Sequence, residues 1–173
     1  MVKIVSMDAG DLGGVLEIER TSHTEPWRED SFRQELARGN SQLFVARIPG
    51  APPAVGGYVC SWIVLDEIHI LNLAVQAALR RRGIGRSLLV HALEAGSQRG
   101  ARVALLEVRE GNTGARSLYE SLGFRAVGKR PNYYGTTRET AILMDLEMDG
   151  AWRNRWLHDS KNRACRGMEN EHA

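Results

Sequence analysis

Helical spacing of apolar residues marks the first predicted helix of the chain. Leu12, Val15 and Leu16 lie at i, i+3 and i+4, and this spacing predicts an amphipathic helix. Asp8 or Asp11 precedes these residues in the position of an N-terminal cap. The chain is therefore expected to bury one face of this helix.

The rest of the first half contains a second predicted helix and several β-rich runs. The helix is predicted to begin near Trp27, where an acidic first turn precedes an apolar pair at i, i+4, and to end at Gly39. A run rich in Pro and Gly at 49–53 predicts a hairpin connection. We expect the strands to pair in an antiparallel meander, and they cover residues 2–7, 43–48, 55–65 and 68–75.

Strands and helices alternate in the second half of the chain. Apolar rows from Ile84 predict a helix that Gly100 ends, and Asn112 and Gly123 bound another. Such alternation predicts βαβ units with parallel strands, here over residues 103–108, 124–128 and 140–148. The predicted fold class is α/β (α+β), a mixed twisted sheet of about seven strands with about four helices.

Length and composition favour one globular domain. The chain has 173 residues, of which 43% are hydrophobic and 25% charged, as in average globular proteins. We expect a domain over residues 1–149 and an appendage over 150–173 that contains Trp152 and Trp156. The net charge of +2 excludes a surface that binds polyanions as a whole. Any anion site must therefore be a local cluster, and we expect no direct nucleic-acid partner.

Cysteine usage and the amino terminus favour a cytoplasmic location. Cys60 and Cys165 lie far apart without a C-x-x-C spacing, so neither a disulfide framework nor a thiolate zinc site is expected. The histidines also lack ligand spacing, and we expect no metal. The first residues have no apolar leader, and no apolar run approaches the roughly 20 residues that span a bilayer. We therefore expect a protein that is neither exported nor embedded in a membrane.

Four arginines surround two glycines at the start of the helix predicted from Ile84. The string is Arg80-Arg81-Arg82-Gly83-Ile84-Gly85-Arg86. It places cations at the helix end whose dipole is already positive, where they are unfavourable. Gly83 and Gly85 allow several backbone N–H groups to face one anion. We therefore predict an anion site at this turn, with a solvated basic turn as the alternative.

A dinucleotide-binding fingerprint is the main competing interpretation of this turn. Gly83 and Gly85 could begin a G-x-G-x-x-G motif, and the acidic Glu107 closes the next strand. Leu88 occupies the third glycine position, however, and the loop begins five residues after Val75. The chain also has no G-x-x-x-x-G-K-S/T phosphate loop. The phosphate is therefore assigned to a different cofactor.

The turn resembles the pyrophosphate loop of the GCN5-related N-acetyltransferases (GNATs), which has the form Q/R-x-x-G-x-G/A. Arg80, Gly83 and Gly85 match that form, and five further strings in the same order are similar to the bacterial ribosomal-protein-alanine N-acetyltransferases within that family. These strings are 25–27, 106–109, Asn112, 118–124 and 130–134. The resemblance covers about residues 1–148. The chain departs from the family's pattern at Gly111, where serine is usual, and at Thr140, where an acidic residue is common.

The resemblance implies a sheet that splays open between its fourth and fifth strands, where acetyl-CoA would lie as the co-substrate. In the family the backbone of the fourth strand pairs with the pantetheine, and the arginine-glycine turn holds the pyrophosphate. Carried over to this chain, the cofactor-binding residues are Leu73, Ala74, Val75, Arg81, Arg82, Gly83, Ile84, Gly85, Arg86 and Asn112.

The same resemblance assigns the catalytic and acceptor-binding residues. Glu107 matches the general base and Tyr119 the general acid, with Trp27, Tyr133 and Tyr134 at the acceptor. Read from the residues alone, Glu107 could instead form a salt bridge with a neighbouring arginine, Arg109, on the same strand face. Tyr119 could be a core aromatic, and Asn112 suits a helix N-cap, a role compatible with cofactor contact.

The resemblance implies an N-acetyltransferase that acts on the N-terminal alanine of a ribosomal protein by direct transfer in a ternary complex. Two alternatives remain open at this point. One is a GNAT enzyme that acetylates lysine or a small-molecule amine. The other is a non-catalytic CoA-binding interaction module, which would not need the pair Glu107 and Tyr119. The oligomeric state is not predicted.

Overall fold

The computed structural model describes residues 2–50 and 54–154. The chain forms two compact units, Met1–Ala101 and Arg102–Ala173. The predicted hairpin connection falls partly on residues 51–53, which lie outside the described residues. Within the described residues, no helix is both long and apolar enough to cross a bilayer.

The first unit is an antiparallel meander with three α-helices, as predicted. Its four strands lie side by side in the order in which they occur along the chain, and every neighbouring pair is antiparallel. Short 3-10 turns cover Ala9–Asp11 and Ala77–Leu79. The elements are β1 (Lys3–Ser6), α1 (Leu12–Ser22), α2 (Glu29–Ala37), β2 (Ser41–Ile48), β3 (Ala54–Val64), β4 (Glu67–Val75) and α3 (Ile84–Gln98).

Both helix starts near the amino terminus differ in detail from the prediction. Asp8 caps the 3-10 turn before α1 and forms a reciprocal capping box with Asp11. Helix α2 begins at Glu29 rather than near Trp27, because Arg28 is extended, with φ −85° and ψ 163°, and occupies the N-cap position. Trp27 therefore lies in the loop between the two helices.

One hydrophobic cluster joins α1 and α2 to strands β2, β3 and β4. Val15, Phe32 and Tyr58 are completely buried in it, and Trp27 packs against its edge. Cys60 is also fully buried, and burial raises the pKa of its thiol to about 12. This cysteine is therefore inert packing rather than a nucleophile.

The second unit consists of β5 (Val103–Arg109), α4 (Thr113–Ser121), β6 (Arg125–Arg130) and β7 (Ala141–Glu147). The two strands that α4 joins, β5 and β6, are not neighbours within this unit. Strand β7 pairs antiparallel with both β5 and β6 and lies between them. The two strands joined by α4 therefore run in the same direction without pairing, because the long 131–140 connection returns the last strand into the gap.

The predicted appendage is not wholly separate from the packed part of the chain. Trp152, in a short helical stretch that follows Gly150, is only 3% exposed. Trp152 is thus buried, whereas Gly150, Ala151, Arg153 and Asn154 beside it are exposed. Residues 155–173, including Trp156 and Cys165, lie outside the described residues.

Candidate active site

The arginine-glycine turn forms the N-terminus of α3. Gly83 is the N-cap and has φ +81°, a left-handed conformation that favours glycine. A side chain added at Gly83 would meet no atom within 4 Å, so the space in front of this backbone is open. The Gly83 carbonyl is already occupied, since it accepts from the backbone N–H and the hydroxyl of Ser87. An open cradle at a helix N-terminus suits a phosphate group.

The arginines that precede Gly83 differ in their contacts. Arg80 donates from Nε to the Val75 carbonyl at 3.0 Å and from Nη2 to the Ser22 hydroxyl at 3.1 Å, so it fixes the loop. Arg81 and Arg82 are exposed. Ile84 is 6% exposed, with its side chain in the core, so only its backbone can serve a ligand. The turn thus presents positive charge around an open helix N-terminus.

Strand β4 leads through the 3-10 turn Ala77–Leu79 into this turn. Along one edge it pairs with β3, with Leu73 opposite Val59, Ala74 opposite Tyr58 and Val75 opposite Gly57. These pairs secure the strand segment that the resemblance assigns to the pantetheine.

Glu107 lies on the partly exposed face of β5, in the second unit. The burial pattern of this strand alternates, which puts Glu107 and Arg109 on one face. The predicted alternative of a salt bridge between these two is not what forms. Glu107 Oε1 instead lies 2.9 Å from Nη1 of Arg130, at the end of β6. The carboxylate is therefore held by a cation from a strand that does not pair with its own.

Arg109 has other partners in a loop that follows β6. Its guanidinium carbon lies 3.9 Å from the centre of the Tyr134 ring, a cation–π contact. Its Nη1 donates to the Thr137 hydroxyl at 2.8 Å and lies 3.4 Å from the Glu139 carboxylate. Arg109 thus anchors the 131–140 loop to β5.

Tyr119 lies on α4 and is 8% exposed. Its ring packs 5.8 Å from Phe124, as a core aromatic would. Burial, with a smaller contribution from nearby Tyr134, raises the pKa of Tyr119 to about 12. The phenol therefore stays protonated throughout the physiological range.

Asn112 caps α4, as predicted. Its Oδ1 accepts from the backbone N–H of Ala115 at 3.1 Å. Gly123, with φ +96°, follows the end of the same helix. The capping role uses one atom of the amide and is compatible with the predicted cofactor contact.

Two adjacent tyrosines stand on the 131–140 loop. Tyr133 and Tyr134 contact edge to face, with ring centres 5.2 Å apart. Tyr133 is 48% exposed, and the Arg130 guanidinium lies 5.4 Å from its ring centre. Tyr134 is half-buried, and burial raises its pKa, against the opposing effect of Arg109. Arg130 therefore contacts both the Glu107 carboxylate and the exposed tyrosine.

Trp27 lies in the loop between α1 and α2 and lines a surface cavity of about 560 Å³. Its backbone N–H donates to Glu19 Oε1 at 2.7 Å, and its ring centre lies 5.3 Å from that of Phe32. The other residues around the cavity are Leu16, Arg20, Pro26, Arg28 and Glu29.

The family model described as the Acetyltransferase (GNAT) family matches residues 12–124, well over half of the chain. The chain belongs to the GNAT family. The fold class predicted from the sequence is therefore confirmed, and this GNAT protein is an acyltransferase that uses acetyl-CoA.

Relatives of this GNAT protein share one description. The chain is 38% identical over 148 residues to the ribosomal protein bS18-alanine N-acetyltransferase of Escherichia coli K12, covering 84% of this chain and 97% of that relative. The Salmonella typhimurium protein of the same description is 36% identical, with the same two coverages. A crystal structure of the E. coli ribosomal-protein-S18-alanine N-acetyltransferase superposes with a TM-score of 0.78 at 37% identity, covering 86% of this chain and 94% of that one.

The structure of the GNAT protein also shows partners that the sequence did not indicate. Arg130 belongs to the string 130–134 that is similar to the family, but the sequence assigns it no function. Its contact with Glu107 crosses an intervening strand, β7, and such a contact is not visible in the sequence. Glu139 accepts from the Gly111 N–H at 2.9 Å and fills the space that a Gly111 side chain would need. Glu19 could have been noticed in the sequence, because it is a carboxylate on the apolar face of α1.

Among the described residues, no group of three or more His, Cys, Asp or Glu could hold a metal ion.

Proposed function

We propose that this protein transfers the acetyl group of acetyl-CoA to the α-amine of an N-terminal alanine in a ribosomal protein. The observation that carries the proposal is the 38% identity to the E. coli bS18-alanine N-acetyltransferase over 97% of that relative. The exposed Tyr133 supports it as a surface against which an extended peptide can lie. We further propose that residues 1–149 form the catalytic domain and that the protein acts in the cytoplasm.

Acetyl-CoA is proposed to bind through the arginine-glycine turn and β4. The open, left-handed Gly83 at a helix N-terminus fits a pyrophosphate, and the exposed Arg81 and Arg82 supply compensating charge. Arg86 and the backbone of Ile84 and Gly85 complete this set. The backbone of Leu73–Val75 is proposed to bind the pantetheine, with Asn112 as a further contact.

Glu107 is proposed as the general base for the acceptor amine. As the amine nitrogen bonds to the acetyl carbon, its proton passes to the carboxylate, and the carbon–sulfur bond of the thioester breaks. The 2.9 Å contact with Arg130 supports this role because it fixes one carboxylate oxygen and leaves the other outside that ion pair. Transfer is direct, and both substrates are bound at once.

Tyr119 is proposed as the general acid toward the leaving sulfur. Its pKa of about 12 keeps the hydroxyl protonated and able to donate. Because the pKa of this phenol lies above that of a thiol, complete proton transfer to the leaving sulfur would be uphill. The hydrogen bond that Tyr119 donates to the developing thiolate is therefore its main contribution, and solvent can supply the final proton.

An α-amine acceptor also matches the energetics of a single carboxylate base. The α-amine has a pKa of about 7.7 to 8.0 and a lysine about 10.4, so neutralising a lysine at pH 7 costs about 3 to 4 kcal/mol more. A single carboxylate base such as Glu107 is therefore better matched to the easier deprotonation of an α-amine.

The deciding experiment compares two peptides with acetyl-CoA while thiol release is recorded. One peptide begins with a free alanine, and the other has the same sequence with its N-terminus acetylated and one internal lysine. We expect kcat/KM to be higher for the free alanine by at least about tenfold. Faster acetylation of the blocked lysine peptide would replace the proposed acceptor with lysine, and no turnover of either peptide would reject both.

A further inference from the structure

The first unit buries a carboxylate that the proposed chemistry does not use. Glu19, on α1, is 1% exposed, and Val15 and Leu16 on the same helix face are buried beside it. A buried carboxylate is costly unless hydrogen bonds replace its water. The groups that stabilise Glu19 therefore indicate what this residue holds in place.

Four groups from different parts of the first unit surround the Glu19 carboxylate. The Tyr58 hydroxyl donates a hydrogen bond to Oε2. Asn72 Nδ2 lies 3.2 Å from Oε2 and 3.3 Å from Oε1, and His23 Nε2 lies 3.4 Å from Oε2. The Trp27 backbone N–H donates to Oε1 at 2.7 Å. Tyr58 remains a neutral donor, since burial and the Glu19 charge both raise its pKa.

The bond to Trp27 differs from those to Tyr58 and Asn72 because it reaches a segment without regular structure. Tyr58 and Asn72 lie on paired strands, β3 and β4, which other hydrogen bonds already secure. The loop between α1 and α2 is not part of a strand ladder. The backbone hydrogen bonds at its two ends are those that close α1, from the His23 N–H, and open α2, to the Arg28 carbonyl. Glu19 thus provides a fixed acceptor in the middle of that loop.

The ring of Trp27 is aligned through the same cluster. It packs on Phe32, whose ring meets the Tyr58 ring edge to face at 5.5 Å. Tyr58 in turn donates to Glu19, which accepts from the Trp27 backbone. This closed set of contacts fixes both the backbone and the ring of the residue that lines the 560 Å³ cavity.

We propose that Glu19 is a positioning residue for the acceptor substrate, acting through the Trp27 backbone to hold the α1–α2 loop in its binding conformation. The inference rests on the proposed function, because it assumes that Trp27 contacts the acceptor peptide. It predicts that Glu19 controls acceptor binding without affecting acetyl-CoA.

The test combines steady-state kinetics with hydrogen exchange. Glu19→Leu keeps the size of the side chain and removes both acceptor oxygens, whereas Glu19→Gln keeps one oxygen for the Trp27 N–H. We expect Glu19→Leu to raise the KM for an Ala-starting peptide about tenfold or more and to leave the KM for acetyl-CoA within about twofold. Exchange at the Trp27 amide should accelerate in Glu19→Leu. Glu19→Gln should restore both readouts most of the way.

Glu35 supplies the matched control. This second buried carboxylate, on α2, is 7% exposed and accepts from Trp62 Nε1 and the Ser41 hydroxyl, two groups that lie outside the loop. Glu35→Leu should lower stability as Glu19→Leu does, yet leave the peptide KM and Trp27 exchange unchanged. If Glu35→Leu raised the peptide KM as much as Glu19→Leu does, Glu19 would have only a structural role. The same conclusion would follow if Glu19→Leu raised the KM for the peptide and the KM for acetyl-CoA in parallel.

A measurement on the unmodified protein covers the case in which Glu19→Leu does not fold. The wild-type Trp27 amide should exchange at least about tenfold more slowly than its intrinsic rate. An unprotected Trp27 amide would overturn the proposal by itself. If the wild-type protein binds acetyl-CoA and protects Trp27 but does not acetylate the peptide, the proposed function fails, and with it the link from Glu19 to an acceptor.

Discussion

Arg130 Nη1 lies 2.9 Å from Glu107 Oε1, although the two residues belong to strands separated by β7. The contact runs diagonally across the sheet, since Glu107 is opposite Leu143 and Arg130 is opposite Ala141. Arg130 also faces the exposed Tyr133 ring. The proposed base and the proposed acceptor contact are therefore linked by one guanidinium.

Removing this guanidinium should lower the reaction rate. In Arg130→Gln, the Glu107 carboxylate loses the partner that fixes its orientation, so we expect kcat to fall about three- to tenfold at pH 7 with unchanged acetyl-CoA affinity. Steady-state kinetics with an Ala-starting peptide measures this. The adjacent Lys129 pairs with Glu110 at 2.7 Å and serves as the control, since Lys129→Gln removes a similar exposed ion pair. Equal losses in both variants would contradict a specific role for Arg130.

The acid and base assignments predict losses in turnover rather than in binding. Glu107→Gln and Tyr119→Phe should each lower kcat by about 10² to 10⁴, because each removes a proton acceptor or donor at the reacting atoms. Acetyl-CoA affinity, measured by calorimetry, should change little. Wild-type turnover in both variants would leave Glu107 as an ion-pair residue and Tyr119 as a core aromatic.

Gly83 provides a test of the phosphate site. Gly83→Val places a β-branched side chain at φ +81° and into the open space before the helix N-terminus, so we expect calorimetry to detect no CoA binding. Circular dichroism should show a retained fold. Gly100 lies beyond the other end of α3 at φ +96°, and a side chain there also meets no atom within 4 Å. Gly100→Val should cost similar backbone strain while CoA binding survives, and unchanged affinity in folded Gly83→Val would reject the site.

Two glycines near the start of α4 should respond to alanine with opposite signs. A Cβ at Gly111 would lie 2.7 Å from Glu139 Oε1, so Gly111→Ala displaces the carboxylate that bonds Gly111 and Arg109. Gly114 has nothing within 4 Å and lies inside the helix. We expect Gly111→Ala to lower the free energy of unfolding by about 1 kcal/mol and Gly114→Ala to raise it by about 0.5 to 1 kcal/mol. Urea denaturation measures both, and stabilisation by Gly111→Ala would show that the Glu139 bond is dispensable.

The sequence by itself determined the elements whose causes are local. The apolar face of α1, the Asn112 cap, the Gly123 stop and the alternation of β5 all follow from neighbouring residues, since helices and strands have fixed periods. The arginine-glycine turn was recognisable for the same reason. A left-handed Gly83 before a helix is a property of a few consecutive residues.

Only the tertiary structure decided which distant side chains meet. The order of β5, β7 and β6 depends on pairing across a ten-residue connection, and a periodic pattern does not state which strand becomes the neighbour. For this reason the sequence offers Arg109, two positions away, as the alternative partner of Glu107 and does not indicate Arg130. The Glu19 carboxylate could be seen on an apolar helix face, but its donors Tyr58 and Asn72 lie 39 and 53 positions away. Contacts across such separations form only when the packed core brings the elements together, so they leave no periodic signal in the chain.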